Sequence, residues 1–276
     1  MPELPEIETI YRGIEPAILN QRISAVVVIN HQLRWPIPKK LPQVLTGQHI
    51  KAIQRRGKYL LLKTQTGTLI IHLGMSGNLQ LKPQNHTLAK HEHVNIVFSN
   101  GLALCYIDPR RFGAILWTDK DPLQHKLLKN LGPEPLDRDF TAKHLFDRAK
   151  RCHSSIKQFI MNSKVVVGVG NIYANEALFA AKINPLCKAS SVSLERYQLL
   201  TKKIKAILRY AIKHGGTTLR DYSDSRGQKG SFQNKLKVYG RQGQLCVNCK
   251  TKLKQIRLGQ RSTVFCPSCQ NLAIKH

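Results

Sequence analysis

The hydrophobic pattern changes period along the chain. Ile7, Ile10, Tyr11 and Ile14 recur at spacings of three and four, which predicts an amphipathic helix near the N-terminus. From about Arg22 to Trp117 the pattern becomes alternating and β-branched. Its runs are Ser24 to Ile29, Tyr59 to Lys63, Thr68 to Leu73, Val94 to Phe98, Leu102 to Ile107 and Ala114 to Trp117. Asn100-Gly101 separates two of them and predicts a hairpin. Leu131-Gly132-Pro133-Glu134-Pro135 suits neither a helix interior nor an inner strand, so it reads as a linker. Beyond it the period is helical over Thr141 to Lys150, Ser155 to Met161, Ile172 to Ala181 and Leu194 to His214. The pattern predicts an α+β chain: a helix-capped antiparallel β-sandwich at 1–130, a linker at 131–136, a helical domain at 137–239 and a small C-terminal element at 240–276.

Charge narrows the partners. The 276 residues carry 44 Lys+Arg against 16 Asp+Glu, a formal net charge of +28, spread along the chain and not gathered in one block. With 42% hydrophobic residues and recurrent apolar periodicity, a disordered basic tail is excluded. A folded protein this basic is expected to meet a polyanion, first of all nucleic acid. No window approaches 18 consecutive apolar residues, and no basic-then-apolar leader opens the chain, so no membrane association is expected and the chain reads as cytoplasmic.

Cysteine spacing adds a metal. Cys246, Cys249, Cys266 and Cys269 form C-x2-C-x16-C-x2-C, two knuckles that supply four thiolates to one structural zinc. The segment from Gly240 onward is too short to bury a sufficient core alone, so a metal supplies the missing stability. Cys105, Cys152 and Cys187 read as unligated thiols.

Candidate chemistry begins at Met1-Pro2-Glu3-Leu4-Pro5-Glu6. Removing Met1 would leave Pro2 with a secondary amine, which on attacking a sugar carbon gives an iminium ion, an electron sink for elimination. Glu3 and Glu6 place acids beside it, and the helix start favours the free base. Lys58 enters a strand after Arg55-Arg56-Gly57. Gly74-Met75-Ser76-Gly77 and Asp108-Pro109-Arg110-Arg111-Phe112-Gly113 read as tight turns carrying Met, Arg and Phe, side chains suited to wedging into a base stack. Val166-Val167-Gly168-Val169-Gly170-Asn171 opens a helix whose N-terminus can hold a phosphate.

In this order, PELPE, the lysine in RRGKYLLL, HLGMSG, KHEH, DPRRFG, LGPEPL, VVGVGNIYANE and the four-cysteine ribbon with Gln260-Arg261 resemble the formamidopyrimidine-DNA glycosylase family. The resemblance runs from Pro2 to about Cys269. It implies a β-sandwich, then a helix–two-turns–helix domain with a zinc finger. It implies a monomeric base excision repair enzyme of the bacterial cytoplasm, associated with the nucleoid. Such an enzyme flips oxidised purines (8-oxoguanine, formamidopyrimidines) out of double-stranded DNA, removes them, and cleaves the abasic site by β,δ-elimination.

Carried over by residue, the resemblance implies Pro2 as nucleophile and Schiff-base former, and Glu3 as the acid for ring opening. Lys58 is implied as proton donor in β-elimination and Arg261 as the finger arginine of δ-elimination. Met75, Arg110 and Phe112 would fill the duplex. His91, Arg110, Arg111, Arg151, Lys157 and Asn171 would bind DNA. Glu6, Glu176, Thr217 and Tyr222 would border the damaged base, with Gly216 to Phe232 closing over it. Asn162 stands where the family commonly has aspartate, and Cys152 stands near a usually basic site, for which Arg151 beside it can substitute. Two alternatives differ in class: an endonuclease VIII-type glycosylase for oxidised pyrimidines, and a non-catalytic zinc-ribbon DNA-binding protein.

Overall fold

Helix α1 (Leu4–Ile18) starts from Glu3 with Pro5 in its first turn, where a missing N–H costs nothing, and buries Leu4, Ile7, Ile10, Ile14 and Ile18. In the computed structural model, which describes residues 2–217 and 231–271, this stripe enters the core of a two-sheet sandwich. One antiparallel sheet has the order β1-β6-β7-β5, from strands β1 (Ile23–Val28), β5 (Asn78–Pro83), β6 (Glu92–Phe98) and β7 (Leu102–Ile107). The other has the order β2-β3-β4-β8, from β2 (Ala52–Arg56), β3 (Tyr59–Lys63), β4 (Thr68–His72) and β8 (Ala114–Thr118). Ile96, Phe98, Leu104 and Tyr106 from the first meet Leu60, Leu62, Leu69 and Ile71 from the second. Asn100-Gly101 does make the β6–β7 hairpin, through a three-residue loop in which Gly101 takes φ 79°. The sequence pattern had not separated β2, β5 or the short helix α2 (Leu41–Leu45). β2 is mostly polar, and β5 ends in proline.

The chain divides into two compact units. The first contains the described residues up to Asn130 together with 214–217 and 231–233, which group with the sandwich and not with the helices that precede them. The second contains Leu131–Lys213 and Asn234 onward, with helices α3 (Ala142–Ala149), α4 (Ile156–Met161), α5 (Asn171–Ala180) and α6 (Leu194–Lys213), and the finger hairpin β9 (Lys254–Leu258) and β10 (Arg261–Phe265). The proline-rich segment is no free spacer. The Gly132 N–H donates to the Ser163 carbonyl at 2.8 Å, and the Pro133 carbonyl accepts from Val167 N–H at 3.2 Å. The expected closing loop falls mostly at 218–230; Tyr222 lies outside the described residues.

Candidate functional site

The candidate residues of the first unit gather at three turns and the start of α1. Pro2, Glu3 and Glu6 are buried. The Glu6 carboxylate accepts from the Glu3 backbone N–H at 2.7 Å with one oxygen and from the Thr217 N–H at 2.7 Å with the other. Glu6 and Thr217 therefore meet. Both of Glu6's oxygens clasp backbone, which fixes the chain start and draws residue 217 to it.

Lys58 sits with Gly57 in the two-residue turn between β2 and β3, where Arg56 pairs with Tyr59. Beside it His72 ends β4 with its ring against Tyr59, centroids 4.6 Å apart. The Gly74 N–H donates to His72 Nδ1 at 3.1 Å, which leaves the ring proton on Nε2. Burial, then the positive charges of Lys58 and Arg34, hold His72 down to about 4, so it is a neutral donor at physiological pH. A cavity of about 180 Å³ lies here, lined by Arg34, Trp35, Tyr59, His72 and Phe112. Sequence reading passed over His72, because a histidine closing an apolar strand carries no distinctive pattern.

The Met75 turn and the Arg110–Phe112 turn are one structure. Gly74 takes φ +61°, and a Cβ there would lie 2.5 Å from the Phe112 carbonyl carbon, so the Met75 turn lies directly against the Arg110–Phe112 turn. Asp108, fully buried, joins them. One carboxylate oxygen accepts from Ser76 Oγ at 2.7 Å and Arg110 N–H at 3.3 Å; the other accepts from Gly113 N–H at 2.9 Å and Tyr106 Oη at 3.3 Å. Burial and the Asp108 charge push the Tyr106 phenol up, keeping it a donor. The Arg110 guanidinium lies 4.8 Å from the Phe112 ring centroid, and Phe112 is 42% exposed. Asp108 was legible as an Asx-turn, since Asp-Pro followed two residues on by a turn N–H is its signature.

His91 and Arg111 flank this platform, both exposed and both at positive φ, 65° and 56°. The Asp108 N–H donates to the His91 carbonyl and the Arg34 N–H to the Arg111 carbonyl, which holds the two strained residues in place. Arg151 is exposed just beyond α3.

In the second unit the finger hairpin meets two expected DNA-binding residues. Gly259 (φ 53°) and Gln260 (φ 62°) form the two-residue turn between β9 and β10, and both positive φ values match a type I′ hairpin. A Cβ on Gly259 would lie 2.7 Å from Gln158 Nε2, so the turn packs closely on α4. Arg261 follows it and is exposed. The Ser262 carbonyl accepts from Lys157 Nζ at 2.9 Å and from Asn171 Nδ2 at 3.0 Å; Lys157 also donates to Thr263 Oγ1 at 2.7 Å. Lys157 is 1% exposed. Its ammonium holds the hairpin. The Glu176 carboxylate accepts from the backbone N–H groups of Lys237, Val238 and Tyr239 at 2.9–3.0 Å, so it anchors the entry to the finger. Burial raises its pKa, against the pull of those three donors.

The four cysteines fit zinc. Their sulfurs lie within 4.8 Å of one another, with Cys249–Cys266 at 3.4 Å and Cys246–Cys269 at 3.9 Å. Thiolates about 2.3 Å from a tetrahedral zinc stand roughly 3.8 Å apart, which matches. Backbone N–H groups of Asn248 and Cys269 point at Cys246 and Cys266 sulfurs, as around a bound metal.

With this geometry described, known proteins are directly comparable. Residues 1–115 match the formamidopyrimidine-DNA glycosylase N-terminal domain, 131–223 its H2TH domain and 243–272 a zinc finger found in FPG and IleRS. The formamidopyrimidine-DNA glycosylases of Stutzerimonas stutzeri and Pseudomonas aeruginosa are each 54% identical over 270 residues, covering 98% of this chain and 100% of theirs. The Lactococcus lactis enzyme bound to DNA containing an abasic site superposes with a TM-score of 0.90 at 36% identity, covering 98% of this chain and 99% of that one. A complex of the same enzyme with DNA containing an oxidised pyrimidine gives 0.88 at 35%, covering 98% and 100%. Domain order, whole-length identity and the four-cysteine finger agree, and the chain belongs to the formamidopyrimidine-DNA glycosylase family.

Proposed function

We propose that this chain is a bifunctional DNA glycosylase and AP lyase that removes oxidised purines from duplex DNA in base excision repair, acting as a monomer with one structural zinc. Family membership sets the reaction class. The observation that best supports it here is the single anchor at Asp108, which ties the Met75 turn to the Arg110–Phe112 turn; we read these three side chains as a wedge. Opening a duplex costs a few kcal/mol per unstacked step, and side chains filling the gap offset that cost.

The proposed chemistry starts after removal of Met1. The Pro2 nitrogen donates its lone pair to C1′ of the damaged nucleotide and gives up its proton, while the glycosidic bond's electrons leave with the base, which takes up a proton. Glu3, next in the chain, supplies a proton for opening of the sugar ring. The resulting iminium nitrogen withdraws electrons, so a proton leaves C2′ and the 3′-phosphate departs; Lys58 handles protons in this step. Arg261 holds the phosphate that leaves in the second elimination. His91, Arg110, Arg111 and Arg151 are proposed to bind DNA directly, while Lys157 and Asn171 act through the hairpin. Bound zinc supplies a closed four-thiolate clamp for that hairpin.

Among the described residues no helix is long and apolar enough to cross a membrane, and we place the enzyme in the cytoplasm with the nucleoid.

Duplexes carrying one 8-oxoguanine, formamidopyrimidine or thymine glycol test the reading. Faster release of the two purine lesions, with β,δ-elimination ends, is expected. Faster release of thymine glycol would assign the chain to the oxidised-pyrimidine enzymes, and binding without release would leave a non-catalytic binder.

A further inference from the structure

A second set of metal-type donors lies on the outer face of the first sheet, outside the repair chemistry. Along β7, Leu104 and Tyr106 enter the core, so Cys105 between them faces away from it. On that face the loop between β5 and β6 folds His86 over the strand. Its Nε2 lies 3.5 Å from Cys105 Sγ and 2.8 Å from Glu92 Oε1, and the three ligand atoms all lie within 4.8 Å of one another. Glu92 and Cys105 are shut off from solvent, whereas the His86 side chain is 9% exposed and gives an approach.

We propose that His86, Glu92 and Cys105 form a second site for a zinc-class divalent cation, separate from the finger. The donor set carries the choice of ion. One imidazole nitrogen, one carboxylate oxygen and one sulfur suit a borderline cation such as Zn²⁺ better than Mg²⁺ or Ca²⁺. Orientation carries the site. His86 Nδ1 lies 2.9 Å from the Pro83 carbonyl, which can only accept, so Nδ1 holds the ring proton. Nε2 then turns its lone pair on the carboxylate and the sulfur, as in histidines whose outer nitrogen is fixed by a carbonyl behind a metal. Two lone pairs facing at hydrogen-bond distance require a cation between them, either a proton or a metal.

The surroundings complete the site. Glu92 Oε2 accepts from Lys82 Nζ at 3.0 Å and Ala89 N–H at 3.1 Å, leaving Oε1 turned to His86. Asn95 stands opposite Cys105 in the β6–β7 ladder and so shares its face. Its buried Oδ1 has no hydrogen-bond partner among the described residues, which supplies a fourth donor on that face. Ligands of a tetrahedral zinc are about 3.3–3.7 Å apart, which the His86–Cys105 spacing matches. The His86–Glu92 pair must open by about half an ångström, a shift open to a loop histidine. On binding, the metal takes the three lone pairs, and the Cys105 thiol proton and any proton shared by His86 and Glu92 pass to solvent. The ion would pin the loop that leads to His91.

The full-length protein with its finger zinc retained is dialysed against micromolar zinc, and bound metal is counted. Two zinc ions per chain are expected for wild type, and one for Cys105→Ala and for His86→Gln. Cobalt(II) at the second site should give a single-thiolate charge-transfer band that Cys105→Ala abolishes. Circular dichroism and 8-oxoguanine release report whether each variant folds, and His86→Gln, on a loop, decides if Cys105→Ala does not. Saturation of wild type at one zinc would mean that only a proton bridges His86 and Glu92, and would overturn the site. So would a second equivalent that survives both substitutions.

Discussion

Arg110 and Arg261 both stand exposed beside tight turns, and the two turns are held by opposite means. The Arg110 turn hangs from one buried carboxylate, Asp108, inside a sandwich with a large apolar core. The Arg261 turn belongs to a two-stranded hairpin with little core of its own; Lys157 and Asn171 hold its Ser262 carbonyl, and four cysteines close its base. A turn on a large core needs only internal hydrogen bonds, whereas a turn on a small ribbon needs a metal and a brace from a neighbouring helix.

The largest expected effect separates the two supports. Zinc binding contributes on the order of 10 kcal/mol to a structural finger, so Cys249→Ser should lose metal, hairpin and DNA binding together while sandwich structure persists. Arg261→Ala should keep zinc and stability, weaken binding to an abasic analogue and raise the ratio of β- to δ-elimination products. Zinc content, circular dichroism and product ratio check this. An unchanged product ratio in Arg261→Ala would reduce the finger to a folding device.

Next comes the carboxylate anchor. Asp108→Ala removes the acceptor of Ser76 Oγ and of the Gly113 N–H, and one of the two acceptors of the Arg110 N–H and of Tyr106 Oη, at a cost of about 3 kcal/mol. Thermal unfolding should drop accordingly, and base release should fall further than duplex binding, because both wedge turns loosen. Equal losses in release and binding would mean that Asp108 merely stabilises the fold.

A subtler contrast lies between direct and indirect DNA contacts. Arg111→Ala should reduce the slope of log affinity against log salt by about one unit, as expected for one lost phosphate contact. Lys157→Met should weaken binding through a loosened hairpin and leave that slope unchanged. A slope change in Lys157→Met would return Lys157 to the DNA surface.

The smallest effect concerns His72. Its folded pKa, about 4, lies below the unfolded 6.5, so the unfolded chain takes up a proton first as pH falls. Its contribution to stability is therefore present above 6.5 and is lost between about 6.5 and about 4. The ring resonances of His72 should stay neutral through that window, and titration near 6.5 would contradict its burial.

Much of this was legible in sequence, for reasons that differ by element. Apolar periodicity marked β3 and β7 to their ends and α3 to α6 within a residue or two, because burial sets the pattern. Cysteine spacing marked the zinc, because tetrahedral geometry restricts it. Polar β2 and proline-ended β5 carried too little apolar signal to be seen. At the site, residue type indicated chemistry but not commitment. Lys157 and Glu176 are charged residues in a basic chain, yet their partners, Ser262, Thr263 and 237–239, lie 61 to 106 positions away. The left-handed backbone of Arg111 is equally invisible, since arginine does not favour it, and the modest preference of histidine is too weak a signal at His91.

The central claim is that a proline amine performs the chemistry, and covalent trapping tests it most directly. Full-length wild type and Pro2→Gly are incubated with duplex DNA carrying 8-oxoguanine in the presence of borohydride, and the intact mass of each chain is recorded. Wild type should lack Met1 and form a covalent complex that borohydride reduces to a stable amine. Pro2→Gly should lose most trapping and base release while still binding an abasic analogue. Full activity and trapping in a chain that retains Met1 would contradict the account.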